Sequence, residues 1–300
     1  MITRTTSTLL MRTAQQNLQN SMATLGAVRE KATNLQRIGR PSDDPIGTAN
    51  SLLVRAEQAS TDQYKRNISD GLGWLSTVDS TLSNVTGLLN RVRDLTVQGA
   101  NDGAMSPTAK EAIAVELESL REDLLVQANS TYLGRTIFAG SSNAGAAFVA
   151  DPTSPDGLAF SGAPGSSVER RIDGHSLVRV DSDGTTVFGQ GAASVFALVD
   201  SIVADLRGGT NVGVKLVDID ARLEVIKGEW ATVGTRHSQV MKAEETTMSK
   251  AIALESQRSE IEDLDLGRAI LDLQAQEVSY QSALAVSARV LQPTLMDFLR

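Results

Sequence analysis

Apolar residues recur at helical spacing near the start of the chain. From Met11 to Leu35 they alternate in steps of three and four, interrupted by Ser21, which is the pattern of a coiled-coil seam. The seam positions are Met11, Ala14, Leu18, Ser21, Leu25, Val28, Ala32 and Leu35. Gly39 and Pro41 follow, and these residue types end helices. The segment therefore predicts a helix that needs a partner.

The C-terminal segment carries a wider apolar face. One row lies seven residues apart and comprises Leu264, Leu271, Val278 and Ala285. A second row comprises Leu266, Ile270, Leu273, Tyr280, Leu284 and Leu291. No Gly or Pro occurs between Arg268 and Gln292, so we expect a long helix. Such a face requires a covering surface, and we expect it to meet the N-terminal seam or neighbouring copies.

Three further helices are predicted between these ends. Ser42, Asp43, Asp44 and Pro45 supply capping groups and a first-turn proline, so a helix should begin there. It should run to about Gly99, with Ile68, Leu75, Val78, Leu82, Val85, Leu89 and Val92 as its stripe. The next helix opens after Ser106 and carries Ile113, Leu117, Leu120, Leu124 and Ala128 on one face. The third spans residues 194–206.

From Leu216 the apolar positions hold one register as far as Ile261. Continued further, that register would place Asp265, Arg268 and Asp272 in the seam, and the apolar row shifts to Leu264 instead. A phase slip within a continuous helix indicates a change of packing partner. We therefore place a domain boundary between residues 258 and 266.

Residues 138–190 differ from the flanking segments in composition and are rich in Gly, Ser, Pro and Asp. Strand-like stretches at 168–180 and 185–188 are bounded by Asp-Gly pairs at 173–174 and 183–184, which are hairpin signals. We interpret this segment as a small β-rich insertion.

The predicted fold class is therefore mainly α. Both termini contribute to a long antiparallel helical rod or coiled-coil bundle, and a small β-rich domain is inserted in it. We assign residues 1–41 and 262–300 to a terminal coiled-coil assembly domain. Residues 42–137 and 191–261 form the helical rod domain, and residues 138–190 form a variable outer domain.

Composition narrows the function. The formal net charge of −8 argues against nucleic-acid binding, which needs a basic face. No apolar run is long enough to span a membrane, so membrane insertion is not expected. The first ten residues lack the apolar region of a cleavable signal peptide, and composition alone predicts a cytoplasmic protein. With no cysteine and with His175 and His237 as the two histidines, no catalytic or metal constellation emerges, and we expect neither enzyme nor cofactor.

Five short segments carry a family resemblance. They are RIGRPSDDPIG at 37–47, NISDGLGWL at 67–75, NSTYLGRTIFAG at 129–140, IEDLD at 261–265 and QPTLMDFL at 292–299. In order and spacing they resemble the bacterial flagellin superfamily, and more narrowly its hook-associated protein 3 group, the hook–filament junction proteins. The resemblance covers about residues 1–140 and 190–300.

The resemblance implies a structural subunit of the bacterial flagellum that is secreted. It implies export through the flagellar type III apparatus, with a cytoplasmic stage and an export chaperone before secretion. It further implies assembly through the terminal helices, with hook-associated protein 1 and flagellin as partners and with self-association in the junction. The hydroxyl-rich first ten residues suit an uncleaved export signal of this kind.

The candidate site is an assembly interface. Its residues are Met11, Leu18, Leu25, Leu35, Leu264, Leu271, Val278, Ala285 and Leu291. The helix-start and family-motif residues are Ser42, Asp43, Asp44, Pro45, Glu262 and Asp263. Two alternatives stay open: a short filament flagellin, and a cytoplasmic helical signalling or export-binding module. An enzyme of unknown type is a remote third.

Overall fold

The computed structural model describes residues 2–101, 105–163 and 165–291. The helices are α1 (Ile2–Asn34), α2 (Pro45–Gly99), α3 (Pro107–Ala128), α4 (Gly184–Phe188), α5 (Val195–Gly208), α6 (Leu216–Glu262) and α7 (Leu266–Leu291). The strands are β1 (Thr131–Tyr132), β2 (Arg135–Thr136), β3 (Phe148–Ala150), β4 (Leu158–Phe160), β5 (Glu169–Arg171) and β6 (Leu177–Arg179). Long helices come from both ends, and β1–β2, β3–β4 and β5–β6 pair antiparallel. The predicted fold class is confirmed.

The chain divides into two compact units. The terminal unit comprises residues 1–60 and 251–300, and the central unit comprises residues 61–250. Each unit contains part of α2 and part of α6. The domain boundaries that we placed after residues 41, 137, 190 and 261 stay a prediction.

The core of the central unit is built from the apolar stripes of α2, α3, α5 and α6. The fully buried α2 positions are Leu75, Val78, Leu82, Val85, Leu89 and Val92. On α3 the buried positions are Ile113, Ala114, Leu117, Leu120, Leu124 and Ala128, which include every position that the sequence predicts. Ser106 caps α3 by accepting a hydrogen bond from the Ala109 amide at 3.2 Å. Periodicity alone locates these helices because their apolar stripes are covered within the unit.

The inserted segment consists of short hairpins around an aromatic cluster. Rings of Phe138, Phe148, Phe188 and Phe196 lie with centroids 5.2–5.9 Å apart. The β5–β6 hairpin falls inside the predicted 168–180 stretch. The predicted strand at 185–188 is wrong: Asp183 accepts a hydrogen bond from the Thr185 amide at 2.9 Å and starts α4. An Asp-Gly pair initiates a helix here because the aspartate acts as an N-cap.

The β1–β2 hairpin is anchored on α2 within the central unit. Tyr132 packs on Trp74 with ring centroids 5.6 Å apart. Gly73 allows this approach, since a Cβ at that position would overlap the Tyr132 hydroxyl and ring. Helix propensity alone makes a glycine inside a helix a weak point. The structure shows that the missing side chain makes room for the hairpin.

Gly73→Ala should destabilise the central unit, although alanine favours helix. The propensity gain of about 1 kcal/mol is outweighed by overpacking against Tyr132, which costs about 1–3 kcal/mol. Gly87→Ala is the matched control, because a Cβ there meets nothing within 4 Å and should stabilise α2 by about 0.5–1 kcal/mol. Urea unfolding of both variants measures the difference. Equal stability of the two would show that the hairpin does not pack on Gly73.

Candidate assembly interface

Helices α1 and α7 form an antiparallel pair in the terminal unit. Gln36 forms an antiparallel β-bridge with Asp263, and the Arg29 guanidinium donates to Glu277 Oε1 at 2.7 Å. The chain therefore runs in opposite directions along α1 and α7. The ion pair is exposed and contributes little by itself, but it fixes the alignment of the two helices.

The α1 side of this pair is the seam that the sequence predicts. Ala14, Leu18, Ser21, Val28 and Ala32 are half-buried and Leu25 is buried, whereas their neighbours in α1 are exposed apart from Lys31, which is half-buried. Met11 and Leu35, at the two ends of the predicted seam, are exposed. The heptad pattern thus identifies the buried face of α1, whereas two of the predicted interface residues remain open to other contacts.

The α7 side uses a row that shares Leu273 and Tyr280 with the second row that the sequence predicts, but not its other members. Its least exposed positions are Ala269, Leu273, Gln276, Tyr280, Ala283 and Ser287, spaced by four and three residues as in a coiled-coil seam. Gln276 and Ser287 make this row less apolar than the one we expected to be covered. A polar residue in a seam still fits between two helices when small neighbours allow close approach.

The predicted row on α7 faces away from this seam. Leu271 and Val278 are 66% and 61% exposed, and Ala285 is also exposed. Leu291 ends α7, and its side chain lies outside those that the structure describes, as does the whole segment 292–299. Leu18 and Leu25 therefore do not cover Leu271 or Val278 within the subunit. We expected this row to meet either the N-terminal seam or neighbouring copies. Since the seam does not cover it, neighbouring copies are the expected partner that is left.

Leu264 does not belong to a helical row, which corrects the predicted phase slip. It lies in the break between α6 and α7. Asp265 starts the new helix, since its side chain accepts from the amides of Gly267 at 2.9 Å and Arg268 at 3.2 Å. The sequence signal was available: an aspartate before a helix is a capping residue. The change of apolar register at this point is a helix end followed by a new helix.

The break after α6 and the link after α1 are joined by main-chain hydrogen bonds. The Arg37 amide donates to the Glu262 carbonyl at 2.8 Å, and the Leu264 amide donates to the Leu35 carbonyl at 3.1 Å. Leu35 adopts a left-handed conformation with φ 56°, which is uncommon for a branched residue. These bonds satisfy groups that helix ends leave open. They also hold both chain reversals of the terminal unit together.

Glu262 lies at the centre of this joint. Its side chain is buried and accepts hydrogen bonds from the Ser51 hydroxyl, from Arg55 at 2.7 and 2.8 Å, and from Arg258 at 3.2 Å. The hydrogen-bonded Arg55 guanidinium is the main cause that lowers the pKa of Glu262 to about 2, with Ser51 and Arg258 acting in the same direction. A buried carboxylate with three donors is a strong positioning element.

The remaining motif residues shape the start of α2. Asp44 accepts from the Gly47 amide at 2.8 Å, and α2 begins at Pro45. Asp43 Oδ2 accepts from the Arg40 amide at 3.3 Å, and Ser42 is exposed in the turn. Asp263 accepts from the Ser259 hydroxyl at 2.6 Å. These residues therefore form turns and caps, and we assign them no direct contact with a partner.

Sequence reasoning missed three donors to Glu262. Arg258 lies four residues earlier on the same helix, a spacing that favours an ion pair, and could have been found. Ser51 and Arg55 lie more than 200 residues away in the chain, and no local pattern connects them to Glu262. Among the described residues no cluster of acids and histidines could hold a metal ion, and none of the helices searched could cross a membrane.

Exposed apolar side chains extend beyond α7 in the terminal unit. They include Leu9, Met22, Ile46, Leu52, Leu53 and Ile252, in addition to Leu266 and Ile270 on α7 itself. Scattered apolar residues are normal on a protein surface, whereas a contiguous group of them marks an interaction site. Exposed side chains with this chemistry are available for contacts with other helices.

Comparisons with known proteins agree with this chemistry. Residues 6–143 match the bacterial flagellin N-terminal helical region. Flagellar hook-associated protein 3 of Escherichia coli is 25% identical, over 90% of this chain and 92% of that protein. The flagellar filament 30.7 kDa core protein of Treponema maltophilum is 24% identical, over 87% and 86%. The crystal structure of flagellar hook-associated protein 3 from Legionella pneumophila has a TM-score of 0.61 at 15% identity, over 69% of this chain and 99% of that one.

Proposed function

We propose that the chain is a member of the bacterial flagellin superfamily and a structural subunit at the hook–filament junction of the bacterial flagellum. The observation that carries the proposal is the pair of faces on α7. One face is covered by α1, while the Leu271–Val278–Ala285 row stays exposed on the other. A subunit of a helical assembly needs such a second face, because it is covered only by neighbours.

Burial of the exposed row between copies would contribute free energy to assembly. Covering a Leu or Val side chain completely contributes about 1.5–3 kcal/mol. Leu271, Val278 and the other exposed residues of the terminal unit therefore provide several such contributions per subunit. We propose that copies of this chain associate through this row, and that Met11 and Leu35 contact neighbours as well.

Two roles within the flagellum compete. Similarity to hook-associated protein 3 spans 92% of that protein, which favours the junction. Similarity to the Treponema filament core protein spans 86% of that protein, which favours a short filament subunit. The tail QPTLMDFL at 292–299 resembles the junction group, and we propose the junction role on this ground. Its partners would then be hook-associated protein 1 on one side and flagellin on the other.

We also propose export through the flagellar type III apparatus and a location in the extracellular flagellum. The absence of cysteine suits a protein that folds outside the cell without forming disulfides. Before export, the rows of α1 and α7 would lack their partners, and ordering them would cost about 1–2 kcal/mol per residue in backbone entropy. A cytoplasmic export chaperone that covers these rows would prevent premature association.

Deletion of the gene tests the junction role. We expect cells with hooks but without filaments, and flagellin secreted as monomer into the medium, because filament growth lacks its adaptor. Electron microscopy of the cells and immunoblots of the medium measure both effects, and the intact gene supplied in trans is the control. Loss of hooks, or filaments of normal number, would contradict the junction role. Long filaments grown from the purified chain alone would favour the filament role.

A further inference from the structure

The tip of the β1–β2 hairpin presents an apolar side chain to solvent in a costly backbone conformation. Leu133 has φ 48° and Gly134 has φ 78°, so both turn residues are left-handed, as in a type I′ turn, where Asn-Gly is favoured. This chain has a leucine, Leu133, at the position where such a turn favours asparagine, and the leucine side chain is 80% exposed. An observed outlier of this kind motivates a functional hypothesis.

The hairpin that carries Leu133 is rigid. Its strand residue Tyr132 packs on Trp74, and the Arg135 guanidinium lies 5.6 Å from the Trp74 ring centroid. Arg135 Nε is buried and has no acceptor among the described residues. The tip thus combines an exposed apolar side chain, Leu133, with a guanidinium, that of Arg135, which forms no ion pair among the described residues. A contact made by a pre-organised element loses little entropy on binding.

A groove elsewhere in the central unit has the complementary character. It lies between α5 and α6, with a volume of about 490 Å³. Ala197, Leu198, Ala221 and Val225 provide its apolar lining, and Asp218 provides a carboxylate. Asp218 forms neither an ion pair nor a hydrogen bond within the part of the chain that the structure describes.

The other charges that line the groove are engaged. The Arg222 guanidinium donates to the carbonyl of Ala193 at 2.5 Å and to that of Thr186 at 3.4 Å. Lys215 Nζ lies 3.7 Å from Asp205 Oδ2. Asp218 is therefore the acid in the lining with which an entering cation could pair, beside the positive charges of Lys215 and Arg222.

We propose that the β1–β2 hairpin of one copy docks into the α5–α6 groove of a second copy, with Leu133 in the apolar lining and Arg135 paired with Asp218. The contact joins two different surfaces, so it is head-to-tail and allows copies to continue into a ring or a helix. The docking proposal rests on the proposed function in one respect, which is that copies of this chain associate. The α7 row lies in the other unit, so the two contacts can be tested separately.

Disulfide trapping tests the contact directly, because the chain contains no cysteine. Leu133→Cys and Ala197→Cys are placed in separate, differently tagged copies, which are mixed at assembling concentration and mildly oxidised. We expect a cross-linked heterodimer in excess over either homodimer. Leu177→Cys mixed with Ala197→Cys is the matched control, since Leu177 is an exposed leucine on the β5–β6 hairpin. Equal cross-linking in both mixtures would overturn the proposal.

Leu133→Asn provides an independent readout, since asparagine tolerates the left-handed conformation. We expect a monomer Tm equal to or above that of the parent, and self-association weakened about tenfold. Leu177→Asn should leave association unchanged. If copies sediment as assemblies but Leu133→Asn assembles like the parent, the docking proposal fails and the proposed function stands. If no copies associate under any condition, both fail.

Discussion

Leu271→Asp is expected to abolish self-association and motility while the monomer stays folded. The side chain is 66% exposed and turned away from the seam with α1. An exposed helical substitution of this kind alters stability by about 0.5 kcal/mol. In an assembly the same position would be covered, and burying an unpaired carboxylate costs far more than the leucine contributed.

Motility of cells that carry Leu271→Asp, together with sedimentation of the purified chain, measures the effect. Ser279→Asp is the matched control, because Ser279 is also exposed on α7 and receives the same charge outside the Leu271–Val278–Ala285 row. We expect it to assemble and to support motility. Normal motility of the Leu271→Asp strain, at normal protein level, would refute the assembly role of this row.

The α7 rows show what periodicity can and cannot establish. The sequence predicts a helix with two apolar rows, but the row that is covered within the subunit is neither of them and shares only Leu273 and Tyr280 with the second. The row that includes Gln276 and Ser287 packs on α1, whereas the more apolar row with Leu271 and Val278 stays exposed. The hydrophobicity of a row indicates how much free energy its burial releases. It does not indicate whether the covering helix belongs to the same chain or to a neighbouring subunit.

The seam on α1 was predictable for the opposite reason. Its heptad runs from Met11 to Leu35 with Ser21 as an interruption and it has one apolar row, so no choice between rows arises. Leu264 was misplaced because a seven-residue spacing continues numerically through a helix break. The capping role of Asp265 was the better local signal. Contacts distant in sequence, such as that between Ser51 and Glu262, leave no periodic trace at all.

Replacement of Glu262 by glutamine is expected to loosen the joint between the two chain reversals of the terminal unit. Glutamine keeps the shape of the side chain but removes the charge that Arg55 and Arg258 face. It also changes the acceptor of the Ser51 hydroxyl. We expect a loss of about 2 kcal/mol, below the range for breaking a fully buried pair, because Arg55 is 56% exposed.

Hydrogen exchange of the amides of Arg37 and Leu264 measures this loss locally, since both donate across the joint. Glu255→Gln is the matched control. Glu255 also pairs with Arg258, at 2.6 Å, but is exposed, so its replacement should leave stability close to that of the parent. If each of the two amides were protected to the same extent in Glu262→Gln as in Glu255→Gln, the buried carboxylate would not hold the joint.

The same carboxylate should make the stability of the terminal unit depend on pH. Its pKa is lowered to about 2, chiefly by the hydrogen-bonded guanidinium of Arg55, against an ordinary value of about 4.3. Between these two values the unfolded chain binds a proton that the folded chain does not, so stability rises with pH. The contribution is complete above about pH 5 and disappears as the pH falls towards 2. Glu262→Gln lacks it, so the difference in unfolding free energy between parent and variant should shrink over this window. A difference that stays constant from pH 7 to pH 2 would mean that the charge of Glu262 does not stabilise the fold.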